Sequence, residues 1–376
     1  MEAILSVKRD PRVDILRGAA LLMIFIDHIP GNLLGWVTFH VFGFADAAEI
    51  FVLLAGFASM LAYGKVFLRS GSAAMMRKVA QRCLRIYLTH AGLLLTTLLV
   101  VLLWTEYFHV SPVAAAPLLD AGFSGLVRGL ALNALPGYLD ILPLYILLLM
   151  AFPVLLAAMR WNVWAAMGAS AALWVMAQLD DRLNLPNWLD PDGWYFDPFS
   201  WQFLFAVGAL LALVMAKRDG ALPRRRWLTW LSAAYLVFAF LETFPFVAFG
   251  LPSLKPIAMD GPDKTHFSVF RLLDILAWVQ IVFSNGATRN WVKYRLTRPL
   301  EACGRHSLDI FALGCVLALF GRLVFRTFGR GLWLQGAVNL TGLAAMCLVA
   351  LWLEHRATRR VARLTLGVTP VPLPHG

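Results

Sequence analysis

The sequence predicts an all-α fold, a polytopic membrane helical bundle of about ten transmembrane helices with both termini cytoplasmic. Three observations predict it. The chain is 60% hydrophobic and only 15% charged, with a mean hydropathy of +0.70, which is more apolar side chain than a globular core of 376 residues buries. Apolar runs long enough to cross a hydrocarbon core of about 30 Å recur from end to end. Basic residues, finally, gather in alternate loops. A helical bundle follows because lipid cannot satisfy an open sheet edge. The chain reads as one integral-membrane domain over residues 1–376, with no soluble domain and no internal repeat.

The runs are 13–29, 45–68, 86–105, 139–159, 163–179, 199–216, 228–250, 267–285, 306–325 and 335–354. The first has a charged leader like a signal peptide, yet no small-residue cleavage site follows, and it ends in Asp27-His28-Ile29-Pro30, so a retained helix is expected. The second opens with Asp46-x-x-Glu49, a capping-box pattern. The third is entered through the basic stretch Arg77–Tyr87. Loops on one side hold 25 of the 33 basic residues, among them Arg12, Arg17, Arg82, Arg85, Arg289, Lys293, Arg305, Arg360 and Arg363. That bias places these loops inside and supports an even number of crossings. The net charge of +11 is therefore mostly topological, and its spread over six short loops argues against a nucleic-acid role. Four cysteines show no metal-ligand spacing; neither a metal site nor a disulfide framework is expected.

Ionisable groups inside an apolar span are costly and mark proton chemistry, an ion path or a substrate site. Asp27 and His28 lie eleven residues beyond Arg17, a rise of roughly 16 Å, which puts them in the outer half of the bilayer. Asp46 and Glu49 share a face at the outer start of the next helix, at similar depth. A carboxylate beside a histidine fixes its tautomer and leaves the other ring nitrogen to take a proton from a hydroxyl. His28 is thus expected as a general base, with Asp27, Asp46 or Glu49 orienting it; helix capping equally accounts for Asp46. Adjacent helical residues point about 100° apart, so spacing leaves the choice of carboxylate open.

Two further groups stand out. Basic residues at the inner mouth bind phosphates or simply fix topology; Arg17 and Arg85 sit deepest, and Arg82 shares a face with Arg85. The outer segment 186–203, with Trp194, Trp201 and Gln202, alternates aromatic rings with Asp, Asn and Gln, which suits a sugar surface or an interfacial aromatic belt. Of the remaining intramembrane polar residues, Arg271 and Asp274 are expected to pair at i, i+3, and His306 with Asp309 likewise.

Several stretches together resemble the OpgC family, membrane succinyltransferases of osmoregulated periplasmic glucans. They are Arg9-Asp10, Asp14–Gly18, Ile26–Asn32 and Phe42–Val52, then the shorter Pro143–Ile146, Pro198–Gln202, Pro262–Thr265 and Gly304–Leu308. The family is similar to the wider acyltransferase 3 group, with about ten helices, a histidine in the first and basic residues before the third. The resemblance implies a multi-pass protein of the bacterial inner membrane with His28 as catalytic histidine and Arg17, Arg82 and Arg85 at the acyl donor. It implies succinyl-CoA as donor substrate, no permanently bound cofactor, and a periplasmic β-glucan as acceptor. Lys264 or Arg271 would then meet the succinyl carboxylate. Two alternatives remain: acetyl or other acyl transfer to a different extracytoplasmic polysaccharide, and a proton-coupled transporter relaying through Asp27, His28 and Glu49. Against the transporter stands the lack of inverted repeats and paired broken helices.

Overall fold

The first helix, α1 (Pro11–Asp27), starts where Asp10 accepts a hydrogen bond from the Arg12 amide and Pro11 occupies the first turn. It stops at His28, two residues before Pro30. A computed structural model describes residues 1–366 apart from 111–114, 219, 260, 286–287, 289, 291–293 and 296, and gives the backbone alone for 360–366. Arg289 and Lys293 of the charge map, and the side chains of Arg360 and Arg363, lie outside the described residues.

The other helices are α2 (Ala47–Phe108), α3 (Ala116–Asp120), α4 (Gly122–Leu130), α5 (Ile141–Trp161), α6 (Val163–Leu179), α7 (Pro198–Ala216), α8 (Arg226–Thr243), α9 (Val269–Ser284), α10 (Thr297–Arg305), α11 (Ser307–Phe328) and α12 (Leu332–Leu366). No strand occurs among the described residues, and the protein is an all-α membrane protein. Among the described residues five helices, α2, α5, α7, α11 and α12, are long and apolar enough to cross a membrane.

Runs two and three of the sequence both fall in α2. Straight, its 62 residues would extend for ~93 Å, about three hydrocarbon cores. The chain instead turns at Gly71, whose φ of 80° and ψ of 179° interrupt the helix. Tyr63 and Arg82, on either side of the turn, face one cavity. Beyond it, Arg85 pairs with Asp309 near the start of α11 at 2.9 Å, and Trp104 donates to Thr327 near its end at 3.0 Å. The second half of α2 therefore runs alongside α11. The short helices α3, α4 and α10 lie outside the expected apolar runs.

Two reciprocal glycine crossings bring the central helices together. A Cβ on Gly56 would sit 1.9 Å from the Phe205 carbonyl oxygen, and one on Gly208 2.0 Å from that of Leu53, so α2 and α7 touch backbone to backbone. Gly18 and Gly304 join α1 to α10 in the same way, each 1.9 Å from the facing carbonyl. Lipid supplies no hydrophobic drive between helices, so close approach through small residues carries the association. Gly56→Ala and Gly208→Ala are each expected to cost about 1–3 kcal/mol and to lower the melting temperature in detergent. Gly92→Ala, where a Cβ meets nothing within 4 Å, should melt at or above the parent.

Candidate active site

Where α1 ends, His28 faces a cavity of about 620 Å³. Its carbonyl accepts from Arg322 Nη1 of α11 at 2.9 Å, and its ring packs against Tyr138 with centroids 4.8 Å apart. The buried Nδ1 has no hydrogen-bond partner. Four carboxylates, Asp27, Asp46, Asp140 and Asp190, line the same cavity with one cation, Lys264, and with Tyr138, Tyr195 and Phe196. A second cavity of about 510 Å³ shares Asp27, Asp46, Tyr195 and Lys264 with it, so the two form one groove.

The carboxylates expected to orient His28 are engaged elsewhere. Asp27 accepts from Thr38 Oγ1 at 2.6 Å and lies 3.4 Å from His40 Nδ1. Asp46 caps α2 by accepting from the Ala48 amide at 2.8 Å, and Glu49 closes the capping box by accepting from the Asp46 amide at 2.8 Å. Asp46 also forms an ion pair with Lys264, and Glu49 with Arg271 Nη1 at 2.8 Å. Burial pulls the Lys264 ammonium down, but the Asp46 carboxylate, with Glu49 behind it, more than offsets this and holds it above its ordinary value. No hydrogen bond joins His28 to Asp27, Asp46 or Glu49.

The cluster corrects the expected local pairs. Arg271 bonds Glu49 rather than Asp274; both carboxylates are fully buried, and Asp274 is satisfied instead by the Ala45 amide, from which it accepts at 2.9 Å. Likewise His306 meets Glu354 at 3.2 Å while Asp309 takes Arg85. Glu242 accepts from the Ile257 and Met259 amides at 2.5 and 3.2 Å and so holds the 251–259 segment.

The aromatic segment is also corrected. Trp201 is fully buried, its Nε1 donating to the Lys264 and Thr265 carbonyls at 3.1 Å, and Trp194 is 4% exposed. Gln202 bonds Ser170 and the Phe199 carbonyl inside the bundle. These three hold the loop in place and leave no face for a ligand. Asn187, Asp190 and Tyr195 of the same loop line the cavity in their stead.

At the other end of α1, Arg17, Arg82 and Arg305 line a cavity of about 190 Å³, which adjoins another of about 350 Å³ through Arg305. Arg17 donates to the Leu54 carbonyl at 3.1 Å. Arg85, by contrast, is drawn off to Asp309 and lines neither. Phe51 borders this basic cavity and Phe311 the His28 cavity, with ring centroids 6.2 Å apart. An aromatic contact thus links the walls of the two.

A family model described as OpgC protein matches residues 9–358. The chain belongs to that family. No curated protein and no solved structure matches it.

Sequence reasoning missed Arg322, Tyr138 and Asp140. Arg322 carried a readable signal, a lone cation inside the apolar run 306–325, and Asp140 a weaker one, a carboxylate at the head of the run 139–159; Tyr138 just before it had none. Arg271→Ala strands Glu49 without its cation and is expected to cost about 3–5 kcal/mol. Arg271→Ala with Glu49→Ala should recover part of that loss, so a double-mutant cycle of detergent melts checks the coupling.

Proposed function

We propose that this OpgC-family protein is an acyltransferase of the bacterial inner membrane, with about ten spans and both termini in the cytoplasm. It moves a succinyl group from cytoplasmic succinyl-CoA to hydroxyls of a periplasmic β-glucan. One observation carries the reading: a basic cavity and a carboxylate-rich cavity lie at opposite ends of α1, and a lining residue of one, Phe51, is in ring contact with a lining residue of the other, Phe311. Arg17 and Arg82 suit the phosphates of the donor, since guanidinium groups bind phosphate through charge-assisted hydrogen bonds, whereas Arg305 in the same cavity is paired with Glu301 and Glu354. The groove at His28, lined by carboxylates and aromatic rings, suits an acceptor with many hydroxyls and room for more than one sugar unit. Lys264 is the cation there that meets the succinyl carboxylate.

In the reaction His28 takes the proton of an acceptor hydroxyl, and the oxygen attacks the thioester carbonyl. The C–S bond then breaks, the CoA thiolate leaves, and the imidazolium returns its proton to it. The ion pairs of Asp46 with Lys264 and of Glu49 with Arg271 leave little room for a proton relay through those carboxylates, which disfavours the transporter reading.

Periplasmic glucans from cells producing His28→Ala are expected to lack anionic substitution by mass spectrometry, at parental protein levels; full succinylation would overturn the base assignment. Arg82 and Arg85 should separate in binding. Arg82→Ala is expected to weaken succinyl-CoA binding by about 10- to 100-fold, the worth of one hydrogen bond to a charged group. Arg85→Ala should lose much less, and equal losses by titration calorimetry would contradict the donor site drawn here.

A further inference from the structure

Arg322 is a charge in an apolar helix with no carboxylate to meet it. Among the described residues it makes no ion pair; its guanidinium donates to the His28 carbonyl at 2.9 Å and stacks on the Tyr138 ring at 4.2 Å. Such a charge inside a membrane segment is expensive and needs a reason. Capping alone explains part of it, since the last carbonyls of α1 have no partner in their own helix and favour a cation. It does not explain Tyr138. That residue adopts φ 76°, a conformation a bulky side chain rarely takes, and its ring contacts both the Arg322 guanidinium and the His28 imidazole. The approach of the two helices is also built for it: Gly321 leaves space for Ile29, whose Cδ1 would lie 2.6 Å from a Cβ at that position.

We propose that Arg322, acting through Tyr138, is the positioning residue that fixes the His28 imidazole, in the place a carboxylate was expected to fill. The inference rests on His28 being the base. Its Nδ1 has no hydrogen-bond partner, and Asp27, Asp46 and Glu49 are all held by other groups, while the Tyr138 ring packs against the imidazole with centroids 4.8 Å apart. The guanidinium holds Tyr138 by cation–π attraction and holds the His28 backbone by hydrogen bond, which ties ring and main chain to one anchor.

The test uses purified full-length protein in detergent, with succinyl-CoA and β-glucan oligosaccharides. Arg322→Gln is expected to lower kcat on the order of 100-fold, the effect of a small misplacement of a catalytic group, while succinyl-CoA binding is retained. Tyr138→Leu should fall to a similar level and Tyr138→Phe much less far, since the ring alone does the positioning. The double variant Arg322→Gln with Tyr138→Leu should be no slower than either single one, because the two act as a unit. Parental kcat in Arg322→Gln, or losses that multiply in the double variant, would overturn the proposal. Should Arg322→Gln fail to fold, equal rates for Tyr138→Leu and Tyr138→Phe overturn it alone. Full transfer by His28→Ala would instead remove the base itself, an outcome distinct from a failure of Arg322.

Discussion

Two carboxylates and two cations at the start of α2 hold the His28 end of the bundle together. Asp46 and Glu49 cap the helix, and Lys264 and Arg271 neutralise them from the segment before α9 and from α9 itself. A buried carboxylate left unpaired is far more costly than the same carboxylate in a hydrogen-bonded pair, so each member depends on the others. Asp274 extends the tie by accepting from the Ala45 amide, and its carboxylate lies where a Cβ on Gly43 would be, 2.6 Å away. Only glycine fits there. The result is a wall whose charges cancel. It borders the groove on one side and leaves the imidazole of His28, on the other, free of ionic partners.

Where helices form was legible in the sequence because apolar runs and their end signals are local properties. A run of apolar residues and a proline two positions past His28 are enough to place the end of α1, and the capping box at Asp46-x-x-Glu49 formed as its pattern implies. Pairing was not legible. The i, i+3 rule paired Arg271 with Asp274 and His306 with Asp309, but Glu49, 222 positions away in sequence, takes Arg271, and the equally buried Asp274 accepts from the Ala45 amide instead. Nor does composition distinguish an aromatic ring that faces a ligand from one that fills a core. Trp201 reads like its neighbour Tyr195, yet the first is fully buried and the second is 46% exposed at the groove. The reversal at Gly71 lay between two correctly read runs, and its left-handed φ has no signal beyond the glycine itself.

The aromatic contact between the cavities bears on how an acyl group is moved from one side of a membrane to the other. Under the proposed reading, neither the charged donor nor the polar acceptor crosses the hydrocarbon core of about 30 Å. Each enters its own cavity, and the walls of the two meet where Phe51 packs on Phe311, with the Tyr145 ring 6.2 Å from that of Phe51. Rings suit this role because they are apolar enough to exclude water from the thioester and from the imidazole, while the thin arm of the donor is itself only weakly polar. A polar partition would have bound that arm and admitted water with it. On that reading the two ends of the bundle stay chemically separate: guanidinium groups where phosphates would arrive, carboxylates where hydroxyls would arrive, and between them an apolar step at which only the acyl end needs to pass.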